Sequence, residues 1–188
     1  MGIEPSMVNR PPRAVLFDRD GTLVSDVPYN GDPARVRPMP TARAATALLR
    51  RRGIAIGVIT NQSGVARGLL SPADVAAVNE RIEQLLGPMD VWAICPHGAD
   101  EGCGCRKPAP GLVLDAARAL GVPPADLVVI GDIGADVGAA RAAGSRAVLV
   151  PTPVTRRAEV ETAPSVAATL LEAVELALAS DRVQERAS

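Results

Sequence analysis

Aromatic side chains are nearly missing from this chain of 188 residues: one Phe, one Tyr and one Trp make up 2% of it. Phe17, Tyr29 and Trp92 are too few to build a stacking platform, which disfavours single-stranded nucleic-acid binding. Charge of one sign is missing as well. The formal net charge is −1 with no block of like charges, so a general affinity for nucleic acid is not expected. No apolar run approaches the roughly 20 residues that span a bilayer. Met1 to Arg13 has no apolar stretch of signal-peptide length. Cysteine is scarce, and the three present are an odd number close together, which does not suit a disulfide framework. Thiols fit a reducing compartment, so a cytoplasmic protein with no membrane association is expected.

What is present is aliphatic. Hydrophobic residues make up 47% of the chain, so the core must be built from Ala, Val, Leu and Ile. The length suits one domain with a real interior. Residues 1–12 are polar and proline-bearing and read as a flexible leader, with a single domain over 13–188. No heptad or long exposed apolar stretch argues for assembly, so a monomer is the expectation.

Short apolar runs alternate with helical patterns. Strands are expected at 14–17, 54–59, 91–94, 127–130 and 147–150. Helices are expected at 41–52, 71–86, 110–120, 136–143 and 166–179, with loops at 26–40 and 151–164. This is an α/β pattern: a doubly wound, mostly parallel, Rossmann-like sheet, whose sites form beyond the carboxyl ends of strands. Polar clusters beginning at Asp18, Thr60 and Asp132 each follow such a strand.

The sole histidine and all three cysteines fall between Cys95 and Cys105, as Cys95, His97, Cys103 and Cys105. Four such ligands so close together suit a tetrahedral, structural zinc site, the plain alternative being buried free thiols beside a satisfied histidine. Arg106 and Lys107 leave this loop as two adjacent cations, and Lys107 can neutralise phosphate charge. Asp18 and Asp20 stand past the first strand, with Gly21 allowing a sharp turn. Asp132 and Asp136 stand past a later one. Together the four can offer oxygen ligands to magnesium, although a helix cap accounts equally well for Asp136. Thr60, Asn61, Gln62 and Ser63 bring hydroxyls, amides and backbone N–H groups of the kind that cradle phosphate.

Asp18-Arg-Asp20-Gly-Thr22, Thr60-Asn61, Lys107 and Gly131-Asp132-x3-Asp136, in that order, resemble the four motifs of the haloacid dehalogenase superfamily of phosphatases. The Cys-Pro-His…Cys-x-Cys loop and Cys-Arg-Lys-Pro-x-Pro-Gly are similar to those of the D-glycero-D-manno-heptose 1,7-bisphosphate 7-phosphatases and the histidinol-phosphate phosphatases. The resemblance covers roughly residues 14–150. It implies a haloacid dehalogenase fold with a minimal cap and a zinc loop, and a magnesium-dependent phosphatase acting on a small phosphorylated sugar. Asp18 would be the nucleophile, Asp20 the acid and base, and Thr60 and Lys107 the stabilisers of the phosphoryl group. Asp18, Asp20, Asp132 and Asp136 would serve magnesium. Arg106 would help recognise substrate, and Asp26, Val27, Pro28, Tyr29, Asn61, Gln62 and Ser63 would line the rest of the pocket.

The resemblance has departures. Ile133 stands where the bacterial heptose enzymes often carry lysine, and the stretch 26–37 matches less closely than the motifs do. The same motifs are open to histidinol phosphate as substrate. A non-catalytic zinc module that binds phosphorylated ligands is the reading from another class, and the intact Asp18 and Asp20 argue against it.

Overall fold

The computed structural model describes residues 11–179. The expected leader lies outside the described residues except for Pro11 and Pro12. Five strands form one sheet: β1 (Ala14–Phe17), β2 (Ala55–Asn61), β3 (Val91–Cys95), β4 (Leu127–Gly131) and β5 (Arg146–Leu149). The order is β3-β2-β1-β4-β5, and every pairing is parallel. Strands β1 and β4 are buried along their whole length. That is why their sequences, AVLF and LVVIG, run apolar without alternation.

Helices cover both faces. Val15, Phe17, Val58 and Ile130 pack towards α1 (Ala42–Arg51), α2 (Pro72–Leu86) and α6 (Leu170–Leu178). Leu16, Ile59 and Val129 pack towards α3 (Gly111–Leu120) and α4 (Gly134–Ala143). With so few rings, these layers are filled by Ala, Val, Leu and Ile. Between Asp20 and Thr60 the chain holds a short 3-10 turn (Pro33–Arg35), α1 and the start of β2, so no cap domain is inserted there. Among the described residues, no helix is long and apolar enough to cross a membrane.

Two expectations fail after β5. The loop expected at 151–164 contains α5 (Arg157–Thr162), started by Glu159, whose carboxylate accepts the backbone N–H of Arg156 at 2.9 Å. The last helix starts at Leu170, not Val166. Val166 forms an isolated bridge to Leu149, and the Thr169 hydroxyl caps the helix by accepting Glu172 N–H at 3.2 Å. The backbone of 165–167 is thus spent on the edge of β5.

The strand order β3-β2-β1-β4-β5 switches from one side of β1 to the other at β4, so the carboxyl ends of these two parallel neighbours open a crevice at a topological switch point. Asp18 follows β1 and Asp132 follows β4.

Candidate active site

Lys107 is the centre of the site. Its ammonium donates to Asp18 Oδ1 at 2.6 Å, to Asp136 Oδ1 at 2.6 Å and to the Ile59 carbonyl at 3.0 Å. All three donors are used, and the side chain is 3% exposed. Burial works against its charge, but Asp136 and Asp18 outweigh it and hold its pKa above the usual value. Burial, with Asp136 adding to it, pushes the Asp18 pKa up to about 8 against the opposing pull of the Lys107 ammonium.

The order of parts on β4 and α4 explains Asp136. It is the third residue of α4, and its Oδ2 accepts the N–H of Ile133 at 3.2 Å while Oδ1 faces Lys107. One carboxylate therefore caps the helix and fixes the lysine. Gly131 lies beneath it, where a Cβ would meet the Asp136 side chain.

Asp132 accepts from Thr22 Oγ1 at 3.2 Å and lies 3.5 Å from Thr152 Oγ1, while its carbonyl accepts from Thr155 Oγ1 at 2.6 Å. Burial and the neighbouring Asp136 push its pKa up to about 6, against the Thr22 hydrogen bond. Thr22, Thr152 and Thr155 carry no motif signature beyond the threonine of Asp-Gly-Thr. Those after β5 were not legible in the sequence.

The acid–base candidate has its own cradle. Arg19 is 2% exposed and grips Asp20 with Nε, 3.1 Å from Oδ1 and 3.0 Å from Oδ2, and with Nη2, 2.9 Å from Oδ2. Gln62 Nε2 donates to Asp20 Oδ2 and to Thr60 Oγ1, both at 2.8 Å. With its oxygen lone pair so engaged, the Thr60 hydroxyl is free to aim its proton elsewhere. Sequence reasoning missed Arg19, because a charged residue between two motif aspartates reads as a solvated spacer.

Asn61 holds the backbone of Lys107. Its amide donates to the Lys107 carbonyl at 3.2 Å and accepts the Lys107 N–H at 3.1 Å. Arg106 turns towards the His97 carbonyl at 3.3 Å. Asp26, Pro28 and Tyr29 are exposed and Val27 and Ser63 half-buried, and none bonds to the aspartate–lysine cluster. Burial and the nearby Asp20 raise the Asp26 pKa, while Arg19 lowers it, which puts this loop beside the mouth of the site. Tyr29 adopts a left-handed φ of 51°, with Arg67 5.7 Å above its ring.

Two ligand sets can be tested for metal. The oxygens of Asp18, Asp132 and Asp136 lie within 4.8 Å of one another, and Gly21 leaves the room beside Asp132 that a Cβ would fill. Such a set of few carboxylates fits magnesium. Asp136 is held by the Lys107 ammonium at 2.6 Å and by the Ile133 N–H, whereas Asp132 meets hydroxyls at 3.2 and 3.5 Å, so Asp18 and Asp132 are the better pair.

The second set is Cys95, His97, Cys103 and Cys105. Cys105 Sγ lies 3.2 Å from Cys95 Sγ, 3.5 Å from Cys103 Sγ and 3.2 Å from His97 Nδ1. Cys95 Sγ lies 3.7 Å from Cys103 Sγ and 3.6 Å from His97 Nδ1. Zinc at its usual ligand lengths has tetrahedral edges of about 3.8 Å between sulfurs and about 3.6 Å between sulfur and nitrogen. The separations of 3.2–3.7 Å here are equal to or slightly tighter than these, and the residue types fit zinc. Burial raises the Cys95 pKa and pushes Cys105 up to about 12. At Cys103 burial is outweighed, chiefly by the Arg106 N–H, and the pKa falls to about 7. A bound cation would favour all three as thiolates at once.

A cavity of about 1000 Å³ lies away from this chemistry, at the amino ends of the strands between Arg13, Ile54, Val122 and Leu178. It holds no comparable set of polar groups.

The comparisons with known proteins agree with this geometry. A family model described as HAD-hydrolase-like matches residues 104–175. The D-glycero-beta-D-manno-heptose-1,7-bisphosphate 7-phosphatase of Bordetella bronchiseptica is 36% identical over 145 residues, covering 74% of this chain and 81% of the relative. The D-glycero-alpha-D-manno-heptose-1,7-bisphosphate 7-phosphatase of Mycobacterium tuberculosis is 36% identical over 125 residues, covering 63% of this chain and 66% of the relative. Among solved structures, D,D-heptose 1.7-bisphosphate phosphatase from B. bronchiseptica, complexed with magnesium and phosphate, superposes with a TM-score of 0.77 and 31% identity. That match covers 88% of this chain and 98% of that one.

The five-stranded parallel sheet and these comparisons make the chain a phosphatase of the haloacid dehalogenase type. The relatives narrow this further. The chain belongs to the family of the D-glycero-D-manno-heptose-1,7-bisphosphate 7-phosphatases.

Proposed function

We propose that the protein removes the 7-phosphate of a D-glycero-D-manno-heptose 1,7-bisphosphate, with magnesium and through an aspartyl-phosphate. The observation that carries this reading is the joint placement of Asp18 on Lys107 and of Asp20 and Thr60 on the Gln62 amide, beyond the carboxyl ends of the strands. The named activity of the relatives supplies the substrate class.

Asp18 attacks phosphorus, forming a carboxyl O–P bond as the bond to the sugar oxygen breaks. Asp20 gives its proton to that leaving alkoxide. The resulting Asp20 carboxylate takes a proton from water attacking the aspartyl-phosphate, which releases inorganic phosphate and restores Asp18. Thr60 and Lys107 stabilise the charge spread over the transferring phosphoryl oxygens. Magnesium, held by Asp18, Asp132 and the backbone carbonyl of Asp20, would supply the positive charge that lets a carboxylate meet a phosphate.

Zinc on Cys95, His97, Cys103 and Cys105 would have four protein ligands, leaving no open position, and so would be structural. Its place in the mechanism is to hold the loop that carries Arg106 and Lys107. Arg106 and the Asp26–Tyr29 loop stand at the edge of the site as the groups for the sugar and its second phosphate. Residues 13–188 act as one phosphatase domain in this reading.

The test is phosphate release with magnesium from both anomers of the heptose bisphosphate and from histidinol phosphate, beside Asp18→Asn. Selective turnover of one heptose anomer, lost in the variant, is expected. Preference for histidinol phosphate overturns the substrate, and turnover that survives Asp18→Asn overturns the mechanism.

A further inference from the structure

We propose that Asn79, in the interior of α2 and outside every motif, is a positioning residue for Asp20, acting through Arg19. The inference rests on the reading of Asp20 as acid and base.

Arg19 lies between two motif aspartates yet points inward. Its Nη1 donates to Asn79 Oδ1 at 3.0 Å, while Nε and Nη2 face Asp20. A guanidinium only donates, so the Asn79 oxygen must be the atom turned towards it. Asn79 is 6% exposed and is the one polar residue among the buried positions of α2, beside Val75, Val78, Ile82 and Leu86. An amide on an apolar helix face costs stability unless it has a partner, and here that partner is Arg19.

The helix behind it is firmly placed. Ser71 and Asp74 cap each other's backbone at its start, and Val78 and Ile82 are fixed in the core. The chain Asn79–Arg19–Asp20 therefore links a rigid helix to a carboxylate whose side chain remains 24% exposed towards the crevice. Gln62 holds Asp20 Oδ2 from the opposite side. Oδ1, with one contact at 3.1 Å, is the oxygen left to exchange a proton with the leaving group and with water. Without Asn79 the guanidinium loses its second anchor, and Asp20 loses its aim while keeping its charge partner.

A leaving group that needs no proton exposes this role. An alkoxide departs only as Asp20 transfers a proton to its oxygen; 4-nitrophenolate departs as the anion. Rates are compared on 4-nitrophenyl phosphate and on an alkyl phosphate, which is the heptose bisphosphate or, were that not turned over, the best of a panel of sugar phosphates. The variants are Asn79→Leu, which keeps volume and removes the acceptor, Asn79→Asp, which keeps the acceptor, and Asp20→Asn. Asn79→Leu and Asp20→Asn are expected to lower kcat/KM, which reports phosphoryl transfer and leaving-group departure but not the later water attack, about 10- to 100-fold more on the alkyl ester than on the aryl ester. Asn79→Asp is expected to keep the parent ratio.

The aryl rate also reports the folded, competent fraction, and Asn79→Ala serves if the leucine variant does not fold. Equal losses on both esters with Asp20→Asn still selective would show a merely structural Asn79 and overturn the proposal. Equal losses in Asp20→Asn itself would instead overturn the acid–base role on which it rests.

Discussion

The side-chain amide of Asn61 holds the backbone of Lys107 from both sides, accepting its N–H at 3.1 Å and donating to its carbonyl at 3.2 Å. Asn61 ends β2 and Lys107 ends the cysteine loop, so one side chain ties the loop to the sheet beside the reacting groups. Asn61→Ala should let the loop drift. A displacement of about 1 Å in a catalytic group costs about 100-fold in rate, so kcat should fall by about one to two orders of magnitude. Phosphate-release kinetics check this. Asn61→Asp, which keeps the acceptor and loses the donor, should fall between.

Lys107 neutralises two buried carboxylates. Lys107→Met leaves Asp18 and Asp136 facing each other without a cation, which should destabilise the fold by about 3–5 kcal/mol in urea unfolding. Adding Asp136→Asn removes one of the stranded charges and should recover part of that loss. Neither variant should release phosphate.

The cysteine loop should carry zinc. Elemental analysis should find about one zinc per chain. Stripping all metal with a strong chelator and restoring magnesium alone should leave a lower melting temperature and reduced turnover, because Lys107 follows Cys105 by two positions. Restoring zinc as well should return both. Cys105→Ser should behave like the stripped protein and not respond to zinc.

Acid should loosen the segment that backs Asp132. Hydrogen bonds from Arg156, and from the backbone of Gly134, lower the Glu159 pKa from 4.5 to about 2. A carboxylate depressed on folding stabilises above its unfolded value, and that contribution is lost as pH falls through the folded value. The loss should therefore develop between pH 4.5 and about 2. Glu159→Gln should melt lower at neutral pH and show a shallower decline across that window, measured by thermal unfolding at stepped pH.

The helix breaks around α5 and α6 mark where local pattern stops being informative. The apolar spacing from Val166 suits a helix, but the backbone there hydrogen-bonds to Leu149, a partner no local window contains. Glu159 and Thr169 set the true helix starts, and each is an ordinary polar residue until its N–H donors are in place. Arg19 shows the same limit within a motif. Its burial depends on Asn79, which lies 60 positions away.

The sequence by itself determined the α/β alternation, the strand ends that bear Asp18, Thr60 and Asp132, and the close spacing of Cys95, His97, Cys103 and Cys105. Those features are local: apolar runs, turn residues and ligand spacing act within a few positions. Only the tertiary structure decided that Asp136 caps α4 while holding Lys107, that Asn61 serves the lysine's backbone, and that Arg19 turns inward to Asn79. In each case burial removes water as the alternative partner, so the polar group takes whichever donor or acceptor the packed elements bring to it.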